Sequence, residues 1–189
     1  MIDYGMGNLR SVSKAIEKVG GQVKVSSAPQ DLEQAEKIVL PGVGAFGDGV
    51  LELKKRNLIE PLKIALKQGK PFLGICLGMQ LLFDESEESP GVKGLSFFSG
   101  RVERFKSRDI KIPHMGWNEV NFGSSAGYFY FVHSYYPAPT DKSIISGTCE
   151  YGKEKFAAFI MRDKIWASQF HPEKSQDAGL NLLKRFVNS

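Results

Sequence analysis

Cysteine is scarce, with only Cys76 and Cys149 among 189 residues. Their surroundings are unrelated and no CxxC pair exists, so no disulfide framework is available and a reducing, cytoplasmic setting is expected. Histidine is almost as rare: His114, His133 and His171. No two of them stand at metal-ligand spacing, so neither a metal centre nor another bound cofactor is expected. Long apolar runs are missing as well. The first residues, MIDYGMGNLRSV, hold no signal-peptide core, and nothing approaches a membrane-spanning length. Basic excess is slight, at a net charge of +4, and its densest patch, Lys54-Lys55-Arg56, has no interleaved aromatics. That reads as a solvated helix face rather than a nucleic-acid groove. No repeat, low-complexity segment or composition shift divides the chain, and a single domain over residues 1–189 is expected.

What is present is a hydrophobic share of 42%, enough for a core of ordinary size. Residues 1–4 read as a short strand followed by a tight turn, with Asn8 as a helix cap. Leu9, Val12, Ile16 and Val19 then stand at helical spacing. Val23 and Val25 mark a second strand, and the apolar run 37–40 a third, buried on both faces. A glycine-rich loop, PGVGAFG at 41–47, precedes helical patterns at 49–56 and 58–68. A buried strand at 72–75 leads into a helix carrying Met79, Leu82 and Phe83. In the second half, 100–105, 117–122, 128–133, 143–150, 155–161 and 165–170 read as strands, and 176–187 returns to helix. The alternation predicts a three-layer α/β/α domain. Its central sheet is expected to be mostly parallel, with helices on both faces and an antiparallel extension in the second half.

The sharpest chemical signal is Gly74-Ile75-Cys76-Leu77-Gly78, a G-x-nucleophile-x-G turn between a strand and a helix. Such a turn exposes Cys76 at the C-terminal edge of the sheet. A helix starting there favours the thiolate, and the Leu77 N–H points toward an oxyanion formed by attack from the sulfur. The glycine-rich loop is placed to give a second donor, the Val43 N–H. A cysteine nucleophile also needs a base and an orienting group. His171-Pro172-Glu173 supplies both, with proline fixing the backbone between them. His133 and His114 read as structural or pocket-wall residues. The loop at 41–47 matches neither a P-loop nor a GxGxxG fingerprint.

Taken together, GICLGMQLLF, PGVGAFG and FHPEKS resemble the class I glutamine amidotransferases, in the same order and over nearly the whole chain. The resemblance implies a flavodoxin-like fold and a triad of Cys76, His171 and Glu173 acting on L-glutamine through a glutamyl thioester. It further implies that Gly42, Gln80, Glu88, Ser134 and Tyr135 hold the glutamine. The segments IDYGMGNLRSV, PHMGWNEV and YFVHSYY resemble members that pass ammonia to a separate (β/α)8-barrel cyclase subunit in a heterodimer. On that reading Met115, Trp117, Asn118 and Lys174 are candidates for the docking face. The chain begins inside the first strand of the family pattern, so that strand is expected to be short or truncated. Glutaminases for other acceptors, and cysteine peptidases or γ-glutamyl hydrolases with a similar elbow, remain open alternatives.

Overall fold

A computed structural model describes residues 1–107 and 109–189. Three short strands, β1 (Ile38–Leu40), β2 (Phe72–Ile75) and β10 (Ile165–Ser168), pair in parallel, with β2 in the middle. From β10 the sheet continues antiparallel through β9 (Glu154–Arg162), β8 (Ile145–Tyr151), β5 (His114–Asn121) and β6 (Ala126–His133). The parallel part is therefore three strands and the antiparallel extension is the longer half. A second sheet joins β3 (Glu85–Ser86), β4 (Gly100–Arg104) and β7 (Tyr135–Pro139). Ser134 is the residue at which the chain leaves one sheet for the other.

Helices cover both faces. Along β1, Ile38 and Leu40 belong to one apolar cluster and Val39 to the other; along β10, Ile165 and Ala167 face one way and Trp166 the other. This is the period-two alternation of a strand buried on both sides. One cluster takes Leu32 from α2 (Pro29–Gln34), Phe46 and Leu53 from α3 (Phe46–Lys55), and Leu62 and Leu66 from α4 (Ile59–Lys67). The other takes Val12 and Ile16 from α1 (Leu9–Lys18), with Leu182, Leu183 and Phe186 from α6 (Gln176–Val187).

Several expectations change in detail. Residues 1–4 make only an isolated bridge, Ile2 to Ser26, with the Ile2 N–H on the Val39 carbonyl. Val23 and Val25 form no strand. The helix after Cys76, α5 (Leu77–Gln80), is a single turn; Leu82 and Phe83 continue as tight turns with i→i−3 bonds. Its dipole is correspondingly small, so the helix N-terminus is not a major source of thiolate stabilisation. β7 and α2 were not expected from the sequence pattern.

The Asn8 cap is present: its side chain accepts the Ser11 N–H at 3.2 Å. Asn8→Ala should lower stability by about 1 kcal/mol in urea titrations, and Asn8→Asp should keep most of it.

Candidate active site

Because β1, β2 and β10 run parallel, the loops after them leave the same edge of the sheet. Those loops carry Gly42, Cys76 and His171. Topology alone thus gathers residues far apart in the chain, from Gly42 to His171.

The elbow is tight for identifiable reasons. Cys76 sits at φ 55° and ψ −107°, a left-handed conformation uncommon for a residue with a Cβ. Its N–H is tied to the Ser168 carbonyl at 2.7 Å, which pins the turn to β10. A Cβ on Gly74 would meet the Gly78 carbonyl oxygen at 2.7 Å, and a Cβ on Gly78 would overlap the Leu40 carbonyl outright. Both glycines are required by backbone packed on backbone.

His171 is buried, with its N–H on the Tyr130 carbonyl at 2.9 Å. A 3-10 turn, Pro172–Lys174, folds the chain back so that Glu173 Oε1 lies 2.8 Å from His171 Nδ1. The other ring nitrogen, Nε2, is buried without a formed hydrogen bond. Burial works against a charged imidazole here, but Cys76 and Glu173 outweigh it and lift His171 to about 10. Cys76, His171 and Glu173 are thus one electrostatic unit. Ser175 holds its backbone: the hydroxyl donates to the His171 carbonyl at 2.6 Å and accepts the Tyr130 N–H at 3.0 Å.

The two backbone donors expected of an oxyanion hole do not converge. The Leu77 N–H is occupied by the Gly42 carbonyl at 3.3 Å. In a trans peptide the N–H lies opposite the C=O, so the Val43 N–H points away from that position. In this conformation the Val43 and Leu77 N–H groups are therefore not turned to one point, and the Gly42 carbonyl occupies the donor beside the elbow.

Gln80, Glu88 and Ser134, expected around glutamine, are engaged in hydrogen bonds within the fold. Gln80 is buried, its amide nitrogen 3.0 Å from the Tyr135 carbonyl and 3.2 Å from Gln169 Oε1. Glu88 caps α3 by accepting the Phe46 N–H at 2.8 Å. Ser134 is half-buried, and its carbonyl takes the Phe105 N–H at 3.2 Å. A cavity of about 830 Å³ beside Ile16, Lys37 and Phe186 is lined by none of these residues.

Sequence reasoning missed Gln169, whose amide nitrogen lies 3.7 Å from the Cys76 sulfur. The signal was available: residues two apart in an extended segment share a side, and Gln169 precedes His171 by two. His114 and His133 form a buried wall as expected. His133 Nδ1 bonds the Tyr135 carbonyl at 2.9 Å, so its Nε2 accepts from His114 Nδ1 at 3.0 Å. Burial pushes them down to about 4 and about 3, respectively, so both are neutral near pH 7.

On β5, Met115 and Trp117 are 62% and 46% exposed on one face. Trp117 meets Tyr130 edge-on, and Lys174 lies over the same Tyr130 ring. The Tyr130 carbonyl also holds the His171 backbone, so this aromatic patch borders His171. Asn118 does not belong to it. Strand alternation turns it to the other face, where its amide binds the Glu150 carbonyl at 2.8 Å and faces His114 Nε2 at 3.3 Å.

A family model, glutamine amidotransferase class-I, matches residues 1–189. The chain belongs to the class-I glutamine amidotransferase family. Two curated relatives narrow the comparison, each named imidazole glycerol phosphate synthase subunit HisH. That of Syntrophotalea carbinolica is 48% identical over 201 residues, covering 98% of this chain and 97% of its own. That of Methanothermobacter thermautotrophicus is 50% identical over 195 residues, covering 99% and 96%. Among solved structures, a glutamine amidotransferase aligns with a TM-score of 0.80 at 18% identity, over 100% of this chain and 98% of that one. PurLQS from Thermotoga maritima aligns with a TM-score of 0.70 at 18% identity, over 99% and 93%. These structural likenesses establish the fold.

The two cysteines should react differently. Both are buried, but Cys149 lies within β8, away from any base, and is held up to about 12, chiefly by burial. Brief alkylation with iodoacetamide, read by peptide mass mapping, should modify Cys76 and leave Cys149 untouched.

Proposed function

We propose that this chain is the glutaminase subunit of an imidazole glycerol phosphate synthase, acting in the cytoplasm in histidine biosynthesis. It hydrolyses L-glutamine to glutamate and ammonia and passes the ammonia to a (β/α)8-barrel cyclase subunit with which it forms a heterodimer. The observation that carries this reading is the strained Cys76 beside the buried His171–Glu173 pair. It stands in a chain that is about half identical, end to end, to subunits of that name.

In this mechanism the Cys76 sulfur attacks the side-chain amide carbon of glutamine, and the carbonyl oxygen takes up the negative charge. His171 gives its proton to the departing nitrogen, so ammonia leaves and a glutamyl thioester remains. His171 then takes a proton from water as the water attacks the thioester carbon. Collapse returns the sulfur and releases glutamate. Glu173 holds Nδ1 so that Nε2 faces the sulfur, and stabilises the ring's positive charge. Gly42, Gln80, Glu88, Ser134 and Tyr135 form the glutamine pocket.

For the charged intermediates, the peptide between Gly42 and Val43 has to rotate. Rotation withdraws the Gly42 carbonyl from the Leu77 N–H and turns the Val43 N–H inward, creating two donors. A single oxyanion donor is worth about 10²–10³ in rate, so the closed arrangement is a strong brake. A brake of this kind suits a glutaminase whose ammonia must not be wasted and argues against a stand-alone hydrolase. The exposed Met115–Trp117 face, joined to His171 through Tyr130, is the docking surface. Lys174 borders it.

Cys76→Ala should abolish glutamine hydrolysis, while cyclase turnover fed with ammonium salt survives in the complex. His171→Ala should cost about 10²–10⁴-fold and Glu173→Gln less. Removing the Glu173 charge also removes one of the effects that raise His171, so the alkaline limb of kcat against pH should move to lower pH. Wild-type turnover of glutamine after Cys76→Ala would refute the assignment.

Glutaminase turnover of the purified chain should be low, and should rise when the cyclase subunit and its nucleotide ligand are added. Coupling of about 1–3 kcal/mol corresponds to roughly 5–150-fold. Trp117→Ala and Lys174→Ala should blunt that rise more than they change unstimulated turnover. Full activity in the isolated chain, indifferent to the cyclase, would instead favour an independent hydrolase.

A further inference from the structure

Among the described residues, three buried side-chain polar atoms have no hydrogen-bond partner: His171 Nε2, Glu173 Oε2 and the Tyr4 hydroxyl. The first two belong to the proposed triad. An unpaired buried donor is costly enough to need an explanation, and the proposed mechanism so far gives Tyr4 no part.

Its position supplies one. Tyr4 is fully buried. A Cβ on Gly42 would overlap its hydroxyl oxygen and stand 2.9 Å from the Leu77 Cβ. Gly42 is therefore clasped between Tyr4 and the elbow, and any larger residue there would be driven into the hydroxyl. The ring reaches the same centre electrostatically: its ionisation is suppressed first by burial and then by the charge of Cys76. Gly42, which stands beside this idle donor, is also the residue whose carbonyl now blocks the Leu77 N–H.

We propose that Tyr4 is a positioning residue of the oxyanion site, its hydroxyl a donor held in reserve for the Gly42 carbonyl, which it binds when that carbonyl leaves Leu77. In the closed arrangement the carbonyl is paired and the hydroxyl is not. In the open one the carbonyl exchanges one donor for another, and the Leu77 N–H becomes free for substrate oxygen. Tyr4 thereby lowers the cost of opening the hole without touching substrate. The inference rests on the partner-gated reading above and adds to it the residue that stabilises the open state.

Tyr4→Phe keeps the ring and deletes only the hydroxyl. The assay is glutamine turnover of the wild type and the variant, each alone and with the cyclase subunit and its nucleotide ligand. Stimulated kcat of the variant should fall about 3–10-fold, as expected for one lost hydrogen bond. KM for glutamine and the rate of Cys76 alkylation by iodoacetamide should hold. Loss of an unpaired hydroxyl should at the same time raise the thermal midpoint of the free chain, by about 2–4 °C. A stimulated kcat equal to wild type overturns the role of Tyr4. So does a fall in kcat accompanied by a lower thermal midpoint, which would mark ordinary packing damage. If the wild type itself shows no stimulation, it is the partner-gated reading that fails.

Discussion

Everything at this site depends on how closely the turn after β2 approaches the end of β1. Residue 78 lies against the Leu40 carbonyl with no room for a single carbon, and residue 74 lies against the Gly78 carbonyl. These are contacts of backbone on backbone, which cannot relax by changing a rotamer. They fix where Cys76 emerges, and they bring the turn against the loop that follows β1. The Leu77 N–H then falls within reach of the Gly42 carbonyl, so the same closeness that builds the elbow also allows its neighbour to obstruct it.

The antiparallel half of the sheet has a different task. It holds His171 from behind, through the Tyr130 carbonyl, and it carries a neutral pair of imidazoles packed among phenylalanines. Gln80 ties the turn after β2 both to Gln169 and to β7 of the second sheet through its amide. The site is thus assembled at one edge of the parallel strands, which carry both Cys76 and His171, and the antiparallel strands support it from one side.

The sequence carried the chemistry more clearly than the architecture. Cys76 and the His171–Glu173 pair were readable because strained turns and short-range pairs leave local signatures. The α/β layering was readable because strands buried on both faces are continuously apolar. β7 escaped because Pro137 and Pro139 argue against a strand; it is tolerated because β7 lies at the edge of its sheet, paired only with β4. The short α2 carries too few apolar positions to show a period. Which way the Gly42–Val43 peptide faces was beyond any pattern of residue types, since both orientations use the same sequence. The side on which Asn118 lies depended on strand phase, which a motif match does not carry.

Cys76 holds a backbone shape that glycine would adopt freely, and such a conformation costs an ordinary residue about 1–3 kcal/mol. Folding alone would favour a glycine there. In any lineage freed from the need to release ammonia, drift would be expected to run downhill at this one position, toward a residue more at ease in the turn. A cysteine retained against that gradient is a record of use, written as strain and not as contact, and it makes position 76 a marker by which working copies of this chain can be told from retired ones.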